Sequence, residues 1–248
     1  MTKRPNPTSA LLAVVMAAAC AIALPTQAQT NASPAQATHP AESMVATALH
    51  KFKAVDADNH SILINRPGVI TVLLGTSEDS QDAARAAGKA LYPFQGRPDF
   101  QLVVVVDLRD SIATWAPSIV LSQMRSNLDK EAIEQKPYYL KNGNKGNPRK
   151  SSYVIADFSG TICPQLGWTS GSDDLRGILF GVDGREIQHW DKITDMTKLD
   201  ADVRAAIQAL IDEDKAKVAL AVKTGGTKLT QPPLHPPLLP PAPPQAAE

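Results

Sequence analysis

Cysteine is the scarcest residue in this chain: Cys20 and Cys163 are the only two among 248 residues. Aromatic residues amount to 5%. Basic and acidic residues balance at 25 each, and no apolar stretch reaches the roughly 20 residues that cross a bilayer. Each shortage excludes a class of protein. Balanced charge leaves no basic footprint for nucleic acid, and the missing long apolar run excludes a hydropathy-based membrane span. The five histidines, His39, His50, His60, His189 and His235, are scattered without the spacing of a metal cluster, so neither a metal nor another cofactor is expected. If Cys20 is removed with the leader described below, Cys163 has no partner for an internal disulfide.

What is present begins with Lys3 and Arg4, an apolar run over 10–24, Pro25 and the small-residue end Thr26-Gln27-Ala28. This is the pattern of a secretory signal peptide over 1–28, and it predicts a periplasmic or secreted mature chain. A lipoprotein signal ending at Ala17-Ala18-Ala19-Cys20 is the alternative, but the chain stays apolar through Leu24. Residues 29–48, rich in Ala, Thr, Pro and Gln without an apolar face, read as a disordered lead-in. At the other end, 223–248 reads as a disordered tail, where prolines crowd "QPPLHPPLLPPAPPQAAE". Such a tail is a semi-rigid polyproline II spacer or a docking strip for an aromatic groove.

Between the tails, 49–222 has the size of one domain. The unbroken apolar runs 69–74 and 102–106 read as strands buried on both faces. Residues 79–91 between them have the composition of a helix closed by Pro93 and Gly96-Arg97-Pro98, so the two strands should be parallel neighbours. A second helix is expected from Ala116-Pro117 through Ile119, Met124 and Leu128 toward Ile133. The segment "KPYYLKNGNKGNPRKSS" (136–152) reads as a loop whose five basic residues, Lys136, Lys141, Lys145, Arg149 and Lys150, are solvated or receive an anion. A short strand over 153–156, a hairpin turning at Asp183-Gly184, and a helix striped by Leu199, Val203, Ile207, Leu210 and Ile211 complete the order.

In that order, "FQLVVVVDLRDSIATWAP" (100–117), "YVIADFSGTICPQLGW" (153–168) and "LRGILFGVDGREI" (175–187) resemble the thioredoxin-like superfamily, in its peroxiredoxin branch, over residues 65–212. The resemblance implies an α/β three-layer fold: a central mixed sheet with helices on both faces. It also implies a reactive cysteine where the first core strand meets its helix, a position that stabilises thiolates. Here "GTSEDSQ" fills that position. Glu78 and Gln81 stand where a Cys-x-x-Cys pair would, and Ser80 is close to the site of a single peroxidatic thiol. A serine without a neighbouring base is a poor substitute for either.

Arg176, in "LRGILF", matches the arginine that lies near the peroxiredoxin thiolate. It should face the turn Thr76, Ser77, Glu78, Asp79 and Ser80, pairing with a carboxylate there or binding an anion with the helix N-terminus. Arg176-Gly177 also stands where thioredoxins carry a cis-proline before the hairpin strand. Ser80, Asp79 and His189 can be drawn as a nucleophile set, but no Gly-x-Ser-x-Gly elbow supports it.

The expectation is an exported thioredoxin-like domain without redox cysteines at the usual site. It would act as a non-catalytic binding or accessory protein for a protein partner or small anion. The alternatives are a one-cysteine peroxidase or thiol-exchange protein using Cys163, and a tethering module dominated by its tail.

Overall fold

The computed structural model describes residues 53–109, 111–168, 173–223 and Leu238. The expected signal peptide and lead-in, and all of the Pro-rich tail except Leu238, lie outside these residues.

The run at 69–74 forms β3 (Ile70–Thr76), in which every residue is buried, as the missing polar alternation requires. It is followed by helix α1 (Gln81–Ala90) and by β4 (Phe100–Asp107), which pairs with β3 in parallel. Strand β5 (Tyr153–Asp157) pairs in parallel with the far side of β4. On the other side of β3, β6 (Arg176–Phe180) and β7 (Glu186–Trp190) form the expected hairpin, with Gly184 at φ 81° in its turn. The sheet order is therefore β5-β4-β3-β6-β7, three parallel strands followed by two antiparallel ones.

Each sheet face has its own core. On the first, Val72 and Leu74 of β3 and Leu179 of β6 pack with Ala87 of α1. Leu199, Val203, Ile207, Leu210 and Ile211 of α4 (Met196–Lys223), the stripe read from the sequence, close this face. Leu238 packs against this cluster too, so at least one tail residue touches the domain. On the second face, Leu73, Val103, Val105, Ile155, Ile178 and Phe180 are covered by residues from three elements. These are a hairpin of β1 (Lys53–Val55) and β2 (Ser61–Leu63), the four-residue helix α3 (Ile162–Gln165), and Trp168 beyond it.

The structure corrects two readings. Helix α2 (Pro117–Lys141) starts where expected but runs past Ile133 and through Pro137, into the segment read as loop. Its buried residues are Leu128, Ala132, Gln135 and Tyr139, while Ile119 and Ile133 are 70% and 76% exposed. The buried set follows i, i+4, i+7, i+11 spacing, a stripe that a glutamine and a small alanine disguise. Second, the basic residues at 136–150 are not a uniformly solvated set. Lys136 donates to the Gly146 carbonyl at 2.7 Å. Arg149 binds Asp58 at 2.5 Å and Asp129 at 2.8 Å, tying the β1–β2 hairpin to α2.

Candidate functional site

The turn between β3 and α1 is closed on itself. Ser80 is the N-cap of α1, and its Oγ accepts from the Ser77 backbone N–H at 2.9 Å. Thr76 Oγ1 donates to the Ser77 carbonyl at 3.1 Å and lies 2.9 Å from Ser80 Oγ, with Ser77 Oγ at 3.3 Å on its other side, so the Ser80 hydroxyl bonds to neighbouring hydroxyls. Both residues are buried, and their partners are hydroxyls, an amide and a carbonyl, with no base among them. A hydroxyl so placed has no base to take up its proton and no exposure through which to meet a substrate. Glu78, Asp79 and Gln81 are exposed. Glu78 accepts a hydrogen bond from Ser111, which brings the short 3-10 segment Ile112–Trp115 beside the turn.

Arg176 comes to the same end of the sheet. It is the antiparallel partner of Gly75, the residue before Thr76, and such partners project to one face. That face is the one covered by Trp168. A Cβ on Gly75 would lie 2.4 Å from the Trp168 ring, so the indole rests directly on the glycine. Trp168, invisible to sequence reasoning as a site residue, therefore shares with Arg176 the face behind the turn. Its indole N–H is buried without a hydrogen-bond partner.

The thiol lies at the ends of the next strands in the sheet. Strands β4 and β5 end in the register pair Asp107 and Asp157. Asp157 caps α3 by accepting from the N–H groups of Thr161 (3.0 Å), Ile162 (2.9 Å) and Cys163 (3.0 Å). Arg109 grips Asp107 at 2.8 Å through Nη2 and 3.0 Å through Nε. Burial raises Asp107, but the hydrogen bonds and charge of Arg109 outweigh it and hold the carboxyl below its ordinary range. Cys163, 2% exposed, lies among these groups. Burial, with the charges of Asp107 and Asp157 added, pushes its thiol up to about 12 against the pull of Arg109. The thiol is thus beside a guanidinium, that of Arg109, at the C-terminal ends of β4 and β5, which lie at the same end of the sheet as the β3 turn.

Two further groupings are structural. His189 sits on β7 between Glu186 (3.4 Å) and Asp191 (3.5 Å), two strands from β3, so the drawn set with Ser80 and Asp79 does not assemble. Asp56, Asp58 and His60 place ligand atoms within 4.8 Å of one another, a grouping missed in the sequence. Asp58 is already held by Arg149, and Asp56 Oδ1 accepts from the N–H groups of Asp58 and His60 at 2.9 and 2.8 Å, which shapes the hairpin turn.

The deciding feature is topological: β3, α1 and β4 form a parallel crossover, the β6–β7 hairpin runs antiparallel along β3, and α4 returns to the α1 face. The fold is thioredoxin-like. No protein-family model matches the chain, and no curated protein matches it. Similar solved structures include MTB dsbF at 16% identity, covering 64% of this chain and 97% of that one with a TM-score of 0.41. StoA from Bacillus subtilis is similar at 11% identity, 60% and 93% coverage, and a TM-score of 0.39. A secreted Mycobacterium tuberculosis disulfide oxidoreductase homologous to E. coli DsbE is similar at 13%, 64% and 98%, with 0.39. The thioredoxin-like assignment rests on strand order and helix placement, and Cys163 is the one free cysteine among the described residues.

Proposed function

We propose that this is an exported, non-redox thioredoxin-like domain that binds a polypeptide at the end of the sheet bearing the 76–80 turn. The observation carrying the reading is that closed turn: Ser80, where related thiol enzymes would hold their sulfur, is buried and hydrogen-bonded on every side. Export is supported by Lys3, Arg4 and the apolar run that follows them. The surface beside the turn favours a peptide over an anion. Glu78 and Asp79 present exposed carboxylates, which repel anions, while Trp115, four residues along from the Ser111 that bonds Glu78, is 91% exposed. Exposed tryptophan is the residue type most enriched at binding hot spots. The matching partner is a segment that joins an apolar side chain to a basic one.

Selection of displayed random peptides against the mature chain tests this. Enriched peptides are expected to combine Lys or Arg with a large apolar residue, and Trp115→Ala to weaken them about 30-fold, the effect of a hot-spot residue. Peptides that bind equally well to Trp115→Ala and Asp79→Lys would displace the site from this surface.

The enzyme alternative is tested at Cys163. In the native protein at pH 8 the thiol should resist a disulfide reagent and react only on unfolding, because about 12 is far above that pH. The same shift has a stability consequence. Below the ordinary thiol value of 9.0 both states keep the proton. Between there and about 12 only the unfolded chain loses it, so stability falls as pH rises through that window. Cys163→Ala should flatten this alkaline slope. Rapid native-state labelling at pH 8, or peroxide turnover that disappears in Cys163→Ser, would restore the thiol-enzyme reading.

A further inference from the structure

Leu238, far along the Pro-rich tail, is half-buried against the core on the α1–α4 side of the sheet. Helix α4 itself leaves that core. Its apolar stripe ends at Leu210 and Ile211, and no residue over 212–220 is buried. From Ile211 to Lys223 the helix rises about 18 Å. Leu238 is nevertheless back on the core, so the intervening chain has to double back. Thr224-Gly225-Gly226-Thr227 supplies the backbone freedom for that reversal. The fifteen residues from Lys223 to Leu238 span up to about 46 Å as polyproline II, more than the overhang requires.

The tail is suited to such a contact. Pro236-Pro237 precede and Pro240-Pro241 follow the pair Leu238-Leu239, so the flanking φ angles are fixed beforehand and docking costs little backbone entropy. Between Lys228 and Glu248 there is no Asp, Glu, Lys or Arg, so no charge has to be desolvated. The core offers the complement. Its half-buried edge includes Ala83 and Ala84 of α1 and Ala206 of α4, side chains too small to shield it from solvent.

We propose that the Pro-rich tail is an intramolecular strap, with Leu238 of the segment 234–244 filling an apolar site on the α1–α4 face of its own domain. The occupant is this chain's own tail, because Leu238 reaches the core in a single chain and the linking residues are long enough to bring it there. That face is thereby a site for a proline-flanked leucine. It uses neither Trp115 nor the 76–80 turn.

The test uses the full mature chain. Leu238→Ser should lower the melting temperature by about 2–4 °C, the scale of one lost apolar contact in a chain of this size. A synthetic peptide of residues 234–244, added to the Leu238→Ser chain, should restore the stability saturably, and the same peptide with serine at position 238 should not. The unaltered chain, its site filled by a tethered ligand, should respond about tenfold more weakly. Unchanged melting of Leu238→Ser with no response to the peptide overturns the strap. An equal loss in Leu239→Ser overturns the assignment to Leu238. A doubled mass in sedimentation that Leu238→Ser abolishes overturns the intramolecular occupant in favour of tails exchanged between two copies.

Discussion

Asp99→Ala destabilises the protein by about 3–5 kcal/mol, the loss expected when one partner of a buried ion pair is removed. Arg97 and Asp99 side chains are 0% and 1% exposed and meet in a two-point contact. A guanidinium cannot shed its charge as a buried lysine can, so the variant retains a buried cation that has lost its two-point carboxylate contact. The loss should appear as a shift in urea midpoint with little change in slope. Replacing both partners, Arg97→Met with Asp99→Leu, should recover most of it, because two apolar side chains leave no charge to solvate. The backbone bond from Ile70 N–H to the Asp99 carbonyl, 2.9 Å, survives in every variant. The measurement thus isolates the side-chain pair. A loss under about 1 kcal/mol would mean that water reaches Arg97 and the pair behaves as a surface bridge.

That ion pair marks where the sequence becomes silent. Gly96-Arg97-Pro98 is legible as the punctuation that ends α1, but nothing local tells that Arg97 is swallowed by the core. The valine-rich strands β3 and β4 are legible because burial on both faces erases alternation. The α4 stripe is legible because five large apolar residues repeat at helical spacing. Helix α2 is legible only at its start. Proline at 137 reads as a breaker, yet the helix continues through it, Tyr92 donating to Glu134 at 3.1 Å and Lys89 pairing with it at 3.3 Å along the preceding turns. Strands β1 and β2 have three residues each, too few for any period to show. The hairpin they form is pinned non-locally, by the Ala57 N–H on the Val154 carbonyl at 2.7 Å. At the candidate site, the strand-to-helix boundary at Thr76–Ser80 is readable, and the register places Arg176 opposite Gly75, one residue before that boundary. The closure of Ser80 by its own turn, the capping of α3 by Asp157 and the burial of Cys163 depend on side-chain directions that spacing alone does not fix.

Gly75→Ala is the second large effect, and it tests the packing behind the site. Gly75 has ordinary strand conformation, so alanine meets no backbone strain, and in an open strand it would be neutral or stabilising. Here the added methyl would sit 2.4 to 2.8 Å from three atoms of the Trp168 ring, where real contacts essentially never occur. Strand β3 cannot retreat, because Gly75 is paired with Val105 on one side and Arg176 on the other. The indole must move instead, in a core that also contains Leu73, Val105 and Ile178. Overpacking of this kind destabilises by about 1–3 kcal/mol. The change should be visible both in the urea midpoint and in the tryptophan emission. Trp168→Leu alone loses packing, but combined with Gly75→Ala it makes room for the methyl, so the double variant should be more stable than the sum of the single losses predicts. Strict additivity would mean that the ring does not rest on Gly75, and with it would go the argument that Trp168 and Arg176 share the face behind the turn.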